Sequence, residues 1–237
     1  MTATTPSPSP AGAARASCLI ALARVTDELP WGELFEPARP VEVDLGCGKG
    51  RFLLARAAAH PAVQFLGVDR MLTRIRKLDR KVCRLGLANV RLLRLEAAYT
   101  LRRLLPAHSI ARFYLFFPDP WPKRRHHKRR LFDAAFRTLL WTRLVPGGEI
   151  QIATDHLDYF AAMQRALRED PRFEETAPMV RDERERTDFE LIFLRQGLPI
   201  GACGFRTLPA AALPAATLAR LQSEGAAEEA APPLTVP

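Results

Sequence analysis

The thirteen residues from Pro118 to Arg130, PDPWPKRRHHKRR, put an acid between two prolines, a tryptophan next, and then eight consecutive basic or imidazole side chains. Each type carries its own chemistry. A carboxylate such as Asp119 can stabilise positive charge as it develops in a reacting group. Trp121 can stack on an unstacked nucleotide base, or plug a hydrophobic gap beneath the loop. The six Lys and Arg side chains form a dense positive patch of the kind that binds phosphate backbones; a charge run without such neighbours is ordinarily a solvated face. Phe113-Tyr114-Leu115-Phe116-Phe117 precedes the run and reads as a buried strand, which Pro118, Pro120 and Pro122 end and extend into a stiff loop. Asp119 and Trp121 therefore belong at the carboxyl edge of a sheet.

A second cluster stands earlier in the chain. The strand Val41–Leu45 is followed at once by Gly46-Cys47-Gly48-Lys49-Gly50 and an amphipathic stretch, Arg51 to His60. Glycines at a strand-to-helix turn let a ligand approach the backbone closely. The spacing is neither GxGxxG nor GxxxxGK[ST]. The next strand, Gln64–Val68, ends in Asp69, about 20 residues beyond the glycines, where a carboxylate can accept hydrogen bonds from ribose hydroxyls. A helix N-cap is the alternative reading of Asp69. The acid-x-GxGxG form resembles the S-adenosylmethionine loop of class I methyltransferases.

Taken jointly, these motifs resemble the bacterial-type tRNA (guanine-N7-)-methyltransferase family, from about Pro40 to Leu208. Ala153-Thr154-Asp155 and Thr187-Asp188-Phe189-Glu190 are further matches. The resemblance implies a Rossmann-like class I α/β fold. It also implies methyl transfer from S-adenosyl-L-methionine to N7 of the variable-loop guanosine, position 46 of tRNA. It assigns cofactor contacts to Asp44, Gly46, Gly48, Gly50, Asp69, Glu96 and Asp119, with Asp119 catalytic. It assigns substrate contacts to Lys123, Asp155, Thr187, Asp188, Phe189 and Glu190. It assigns RNA contacts to Arg125, His126, His127, Lys128, Arg129 and Arg130. Asp44 and Asp69 stand where Glu is usual in the family, Glu96 where Asp is usual, and Asp188 where a basic residue is common.

Guanine N7 carries an in-plane lone pair, so it attacks a sulfonium methyl without prior deprotonation. No metal and no cysteine nucleophile is required; alignment supplies much of the acceleration. The methylated base becomes cationic, which a carboxylate stabilises. A carboxylate also accepts from guanine N1–H and the 2-amino group. Asp119, Asp155 and Glu190 are the candidates. An N-cap for Asp155 and an ordinary charged turn for Thr187–Glu190 are the competing structural roles. His126 and His127 read as phosphate or backbone contacts, because no other metal-type ligands cluster near them. Two other functions stay open: a nucleic-acid methyltransferase with another target base, and a non-catalytic RNA-binding protein on the same scaffold.

The elements that must position these residues alternate. Strands read at Val41–Leu45, Gln64–Val68, Val90–Leu95, Arg112–Phe117 and Glu149–Ala153. Helices read at Cys18–Leu29, Arg51–Ala59, Leu72–Leu85, Leu131–Leu144 and Leu157–Glu169. Leu191–Leu208 fits a strand pair, or a short helix and a strand. The pattern implies a mostly parallel central sheet with helices on both faces. On the third helix Met71, Ile75, Leu78, Val82 and Leu85 form a core stripe. The rest of that helix is cationic; it reads mainly as a solvated face, with some residues able to extend an RNA-binding surface. The chain has 237 residues, enough for one sizeable domain, read as 17–208 between disordered segments at 1–16 and 209–237. A net charge of +9 favours a polyanionic partner. Four scattered cysteines suit a reducing, cytoplasmic setting, and no apolar run is long enough to span a bilayer. A monomer or a homodimer fits equally.

Overall fold

The computed structural model describes residues 17–121, 123, 125–126 and 130–215. Seven strands form one sheet in the order β3-β2-β1-β4-β5-β7-β6. They are β1 Val41–Leu45, β2 Gln64–Val68, β3 Val90–Leu93, β4 Ile110–Phe116, β5 Leu144–Thr154, β6 Phe173–Thr176 and β7 Gly201–Thr207. β1 to β5 pair with one another in parallel, and β7 runs antiparallel to β5 and β6. The helices are α1 Trp31–Leu34, α2 Arg51–Ala59, α3 Leu72–Arg84, α4 Ala97–Tyr99, α5 Ala134–Arg143, α6 Leu157–Arg168 and α7 Asp188–Arg195. A π-turn, Thr100–Leu104, follows α4.

Side chains alternate across a strand, and here the alternation separates two unlike faces. On one face Val43, Leu66, Val68, Leu93, Phe113, Leu115, Ile150 and Ile152 pack with Phe136 and Leu139 of α5 and Tyr159 and Met163 of α6. On the other, Phe65, Val90 and Leu92 pack with Leu53 of α2 and Ile75, Leu78 and Val82 of α3. The second face changes character at the sheet's centre. There β1, β4 and β5 present Glu42, Asp44, Arg112, Tyr114, Phe116, Glu149 and Gln151. A buried polar layer of this kind requires partners; Glu42 and Glu149 find them in Arg112 and Tyr114 of the sheet, and the irregular segment 177–187 supplies others. It runs from β7, where Ala177 O lies against Gly204, across Gln151, whose Oε1 accepts from Met179 N at 2.8 Å. It passes Phe116, with the Arg181 guanidinium 4.2 Å above the ring, and reaches α2. We call it the strap.

Several sequence expectations are corrected. Cys18–Leu29 is not helical. It is extended at its start and covers the free edge of β3, Ile20 N donating to Leu92 O at 2.8 Å and Leu92 N to Cys18 O at 3.0 Å. An uncovered edge strand has unpaired backbone groups, and this pairing satisfies them. The ends of the α3 stripe, Met71 and Leu85, are exposed; only Ile75, Leu78 and Val82 reach the core. The ambiguous C-terminal stretch is a helix then a strand, and the helix begins earlier, at Asp188. Of the segment read as a tail from 209, residues 209–215 are described. They hold a turn, Ala210–Ala212, and bury Leu213. The segment read as disordered at 1–16 lies outside the described residues.

Candidate active site

The carboxyl ends of the parallel strands bring the predicted acids to one edge. Asp44 closes β1, Asp69 follows β2, Glu96 follows β3, Asp119 follows β4 and Asp155 follows β5. Between β1 and α2 the turn takes left-handed backbone at Gly46 (φ +83°) and at Gly50 (φ +75°). A side chain at Gly50 would strike Leu78, its Cβ lying 2.2 Å from Leu78 Cδ1, so glycine there lets α3 close on the turn. Gly46 has the opposite reason: nothing lies within 4 Å of where its Cβ would be. The turn is thus packed beneath and open above.

Asp44 is 5 % exposed, and its carboxylate makes no hydrogen bond among the described residues. Burial, and after it the neighbouring Asp69, raises its pKa to about 7. Asp69 is also buried, but it is tied into the structure. Its Oδ2 accepts from Gly48 N at 3.0 Å and its Oδ1 from Met71 N at 2.7 Å, while Arg74 lies 3.6 Å away. It braces the glycine turn against the start of α3, whose cap is Met71 rather than Asp69. Two buried acids with one partial counter-cation favour a cationic ligand. Open glycines over such acids suit S-adenosylmethionine, which carries ammonium and sulfonium charge. Cys47 in the same turn is no nucleophile: burial, then Asp44 and Asp69, push its thiol up. Glu96 is exposed and caps α4, its two oxygens accepting from Ala98 N and Tyr99 N.

The Asp119 loop is held in an unusual shape. Phe117 (φ +53°) and Trp121 (φ +41°) both adopt left-handed backbone, which costs about 1–3 kcal/mol at each non-glycine residue. Fixed contacts hold it there. Phe117 N donates to Ala153 O at 2.7 Å. Arg130 Nε donates to Pro120 O at 2.8 Å, and its guanidinium lies 4.5 Å above the Tyr159 ring. Arg130, expected among the RNA contacts, thus faces its own loop. Asp119, Lys123 and Arg125 are exposed. Trp121 is half-buried and meets the His126 ring edge-on, with centroids 5.8 Å apart. His127, Lys128 and Arg129 lie outside the described residues. No cluster of His, Cys, Asp or Glu among the described residues could hold a metal ion.

Asp155 is half-buried, and its carboxylate also makes no hydrogen bond among the described residues. The N-cap role considered for it falls to His156, whose Nδ1 accepts from Tyr159 N. Thr187–Glu190 has a structural job that the sequence reading missed, although the T-x-x-E spacing signals it. It is a capping box: Thr187 Oγ1 accepts from Glu190 N at 3.0 Å and Glu190 Oε2 from Thr187 N at 3.4 Å. Glu190 is buried, with Arg181 Nη1 3.1 Å from Oε2. That nitrogen is not aligned for a hydrogen bond, so the contact is electrostatic. Phe189 points outward, 51 % exposed, and forms an aromatic shelf with Phe193 and Phe117, ring centroids 5.7–6.3 Å apart.

Helix α2 clamps the strap that leads into this capping box. Arg51, first residue after the glycine turn, donates from Nε to Arg186 O at 3.1 Å and from Nη2 to Glu183 O at 3.2 Å. Arg56 Nη1 contacts the buried Glu185 at 3.3 Å, and its Nε donates to Tyr114 Oη at 3.1 Å. Tyr114 in turn donates to Glu42 at 2.5 Å, which Arg112 joins at 3.0 Å. Arg56 Nη1 also lies 2.6 Å from His60 Nε2. Neither Arg51, Arg56 nor Glu185 was legible as part of the site.

A family model described as "Putative methyltransferase" matches residues 38–200. A tRNA (guanine-N(7)-)-methyltransferase of Halorhodospira halophila is 39% identical over 181 residues, 74% of this chain and 78% of that one. The protein of the same name from Thiobacillus denitrificans is 36% identical over 73% of this chain and 78% of its own. Among solved structures, a 16S rRNA methyltransferase, KamB, superposes with a TM-score of 0.54 at 15% identity, over 75% of this chain and 92% of that one. The antibiotic-resistance methyltransferase Kmr gives 0.51 at 20% identity, over 76% and 91%. These two likenesses concern the fold, a class I methyltransferase fold with its mostly parallel sheet.

Proposed function

This chain belongs to the tRNA (guanine-N(7)-)-methyltransferase family, and on that premise we propose that it transfers a methyl group from S-adenosyl-L-methionine to N7 of guanosine in tRNA, at variable-loop position 46, giving 7-methylguanosine. The observation that carries the reading furthest is the juxtaposition at one sheet edge. An open glycine turn over the buried acids Asp44 and Asp69 stands beside an exposed Asp119 on a braced loop.

The cofactor, held by the Gly46–Gly50 backbone with Asp44, Asp69 and Glu96, supplies an electrophilic methyl. The chain's own task is to align guanine N7 with it and to exclude water. Asp119 stabilises the purine cation. Asp155, with no hydrogen bond among the described residues, accepts from N1–H and the 2-amino group and so selects guanine over adenine. Phe189 offers a face for the base. Glu190 is spent on the capping box and Arg181, so its role is to shape the turn that presents Thr187, Asp188 and Phe189. Lys123, Arg125 and His126 of the basic run meet phosphates. All of these residues come from one chain, so a monomer suffices and a homodimer is compatible. Four free cysteines suit a reducing cytoplasm.

The test is methyl transfer from labelled cofactor to bulk tRNA, followed by digestion and mass-coupled separation of the nucleosides. The expected product is 7-methylguanosine alone; methyl on adenine, cytosine or another guanine atom overturns the assignment. Asp119→Asn is expected to keep the fold and to lower turnover by about 10²–10³-fold, the usual cost of losing one charge-stabilising group. Near-normal turnover in that variant means that Asp119 does not stabilise the purine cation.

A further inference from the structure

Helix α3 carries six Lys and Arg in thirteen residues and a single acid, Asp79. That acid faces away from the cations. It accepts from Ser17 Oγ at 3.0 Å and from Cys18 N at 2.8 Å, binding the N-terminal segment. Arg74 turns to Asp69, and Lys81 Nζ donates to Lys49 O of the glycine turn at 3.3 Å. Arg76, Lys77, Arg80 and Arg84 remain, all exposed and none with an ion pair or hydrogen bond among the described residues. Two exposed cations on α6 and β7 do find acids: Arg168 pairs with Glu175 and Arg206 with Glu174.

Arg76, Arg80 and Arg84 follow one another at spacings of four, so they stack along one helix face. Like charges at that spacing destabilise a helix. Asp79, three residues beyond Arg76, is the one acid on this helix, and its carboxylate is taken up by Ser17 and Cys18. A solvated face kept only for solubility would do better with acids interspersed, as on β6 and α6. A polyanion removes the repulsion and releases its own counterions. The row also has a defined neighbour: α3 packs against the glycine turn through Leu78 and Lys81, which fall between Arg76 and Arg84 along the helix.

We propose that the outer face of α3, through Arg76, Lys77, Arg80 and Arg84, is a second phosphate-contacting surface for tRNA, separate from the basic run after Asp119. It grips the RNA backbone on the cofactor side of the cleft while the run after Asp119 grips it on the other. The proposal rests on tRNA being the substrate.

The experiment uses the full chain and unmodified bulk tRNA. Binding is followed between about 50 and 200 mM salt for wild type, for Arg76→Gln/Arg80→Gln/Arg84→Gln and for Arg125→Gln. Each lost phosphate contact reduces the slope of log affinity against log salt by about 0.9 on a duplex. The triple variant is expected to lose about two to three from the slope, and to raise KM for tRNA several-fold, while its affinity for S-adenosylhomocysteine is unchanged. Its melting temperature should hold or rise, since repulsion is removed. Arg80→Gln alone, a milder change, should lose about one. A wild-type slope in the triple variant overturns the proposal and returns α3 to a solvated face. Should wild type show no methyl transfer to tRNA, the substrate reading fails and takes the proposal with it. Should transfer occur while the α3 slope stays at wild type, the proposal alone fails.

Discussion

Asp44 lies beneath the glycine turn with no ion pair among the described residues, and its proton equilibrium reflects that. An ordinary aspartate titrates near 3.8, whereas burial and Asp69 raise Asp44 to about 7. Between these values the folded state holds a proton that the unfolded state has released. Asp44 therefore contributes stability that is fully present below about pH 4 and lost as pH rises through 7. Asp44→Asn is expected to match wild type near pH 4 and to be more stable at pH 8, by roughly 2–4 kcal/mol. The same variant should bind S-adenosylmethionine more weakly. Chemical denaturation from pH 4 to 8 and a cofactor titration check both; parallel pH profiles for the two proteins would contradict the prediction. Asp44, Asp69, Asp119 and Asp155 were readable beforehand because each ends a strand of strong pattern, and strand ends in open α/β sheets face ligands. The spent state of Glu190 was less visible. Its capping pattern was present in the letters, but Arg181 beneath it arrives through packing.

At the level of elements, the strap replaces a helix over the polar half of the sheet, and α2 is its anchor. Arg51 and Arg56 join α2 to the strap that leads into the Thr187–Glu190 capping box. Misplacing a substrate group by about 1 Å can cost about 100-fold in rate. Glu185→Gln, nearly isosteric, removes the charge facing Arg56 and should lower kcat about ten-fold or more, with cofactor affinity held. Arg56→Lys should restore less than half of what Arg56→Ala loses, because an ammonium cannot reach Glu185, Tyr114 and His60 together. Equal kcat in wild type and Glu185→Gln would show that the clamp merely holds the fold. None of this could be read from sequence, because its partners lie 129 to 135 residues apart. The short strands β6 and β7 were obscured for a related reason: their partner is the far side of the sheet, not a neighbouring repeat of strand and helix. Cys18–Leu29 misled because an apolar run of moderate length fits a helix or an edge cover, and the bare edge of β3 decided between them.

Seen whole, the molecule closes its site with its last elements. The proposed cofactor contacts all lie within the span of β1 to β5, which ends at Thr154. The proposed substrate contacts at Thr187 to Phe189 lie beyond it, where the strap meets α7. The largest separation in the clamp, between Arg51 and Arg186, is 135 residues, so a long loop must close before the two halves meet. During synthesis, domains assemble from the N-terminal side as the chain emerges at about 5–20 residues per second. The strap, α7 and β7 therefore emerge after the glycine turn and after β1 to β5. In refolding, binding of S-adenosylhomocysteine should recover before methyl transfer does, and Arg51→Ala should widen the gap between the two phases. Simultaneous recovery would mean that the strap docks with the sheet in one step. If S-adenosylhomocysteine binding recovers first, chain order would separate uptake of the methyl donor from action on RNA, with the strap as the step between them.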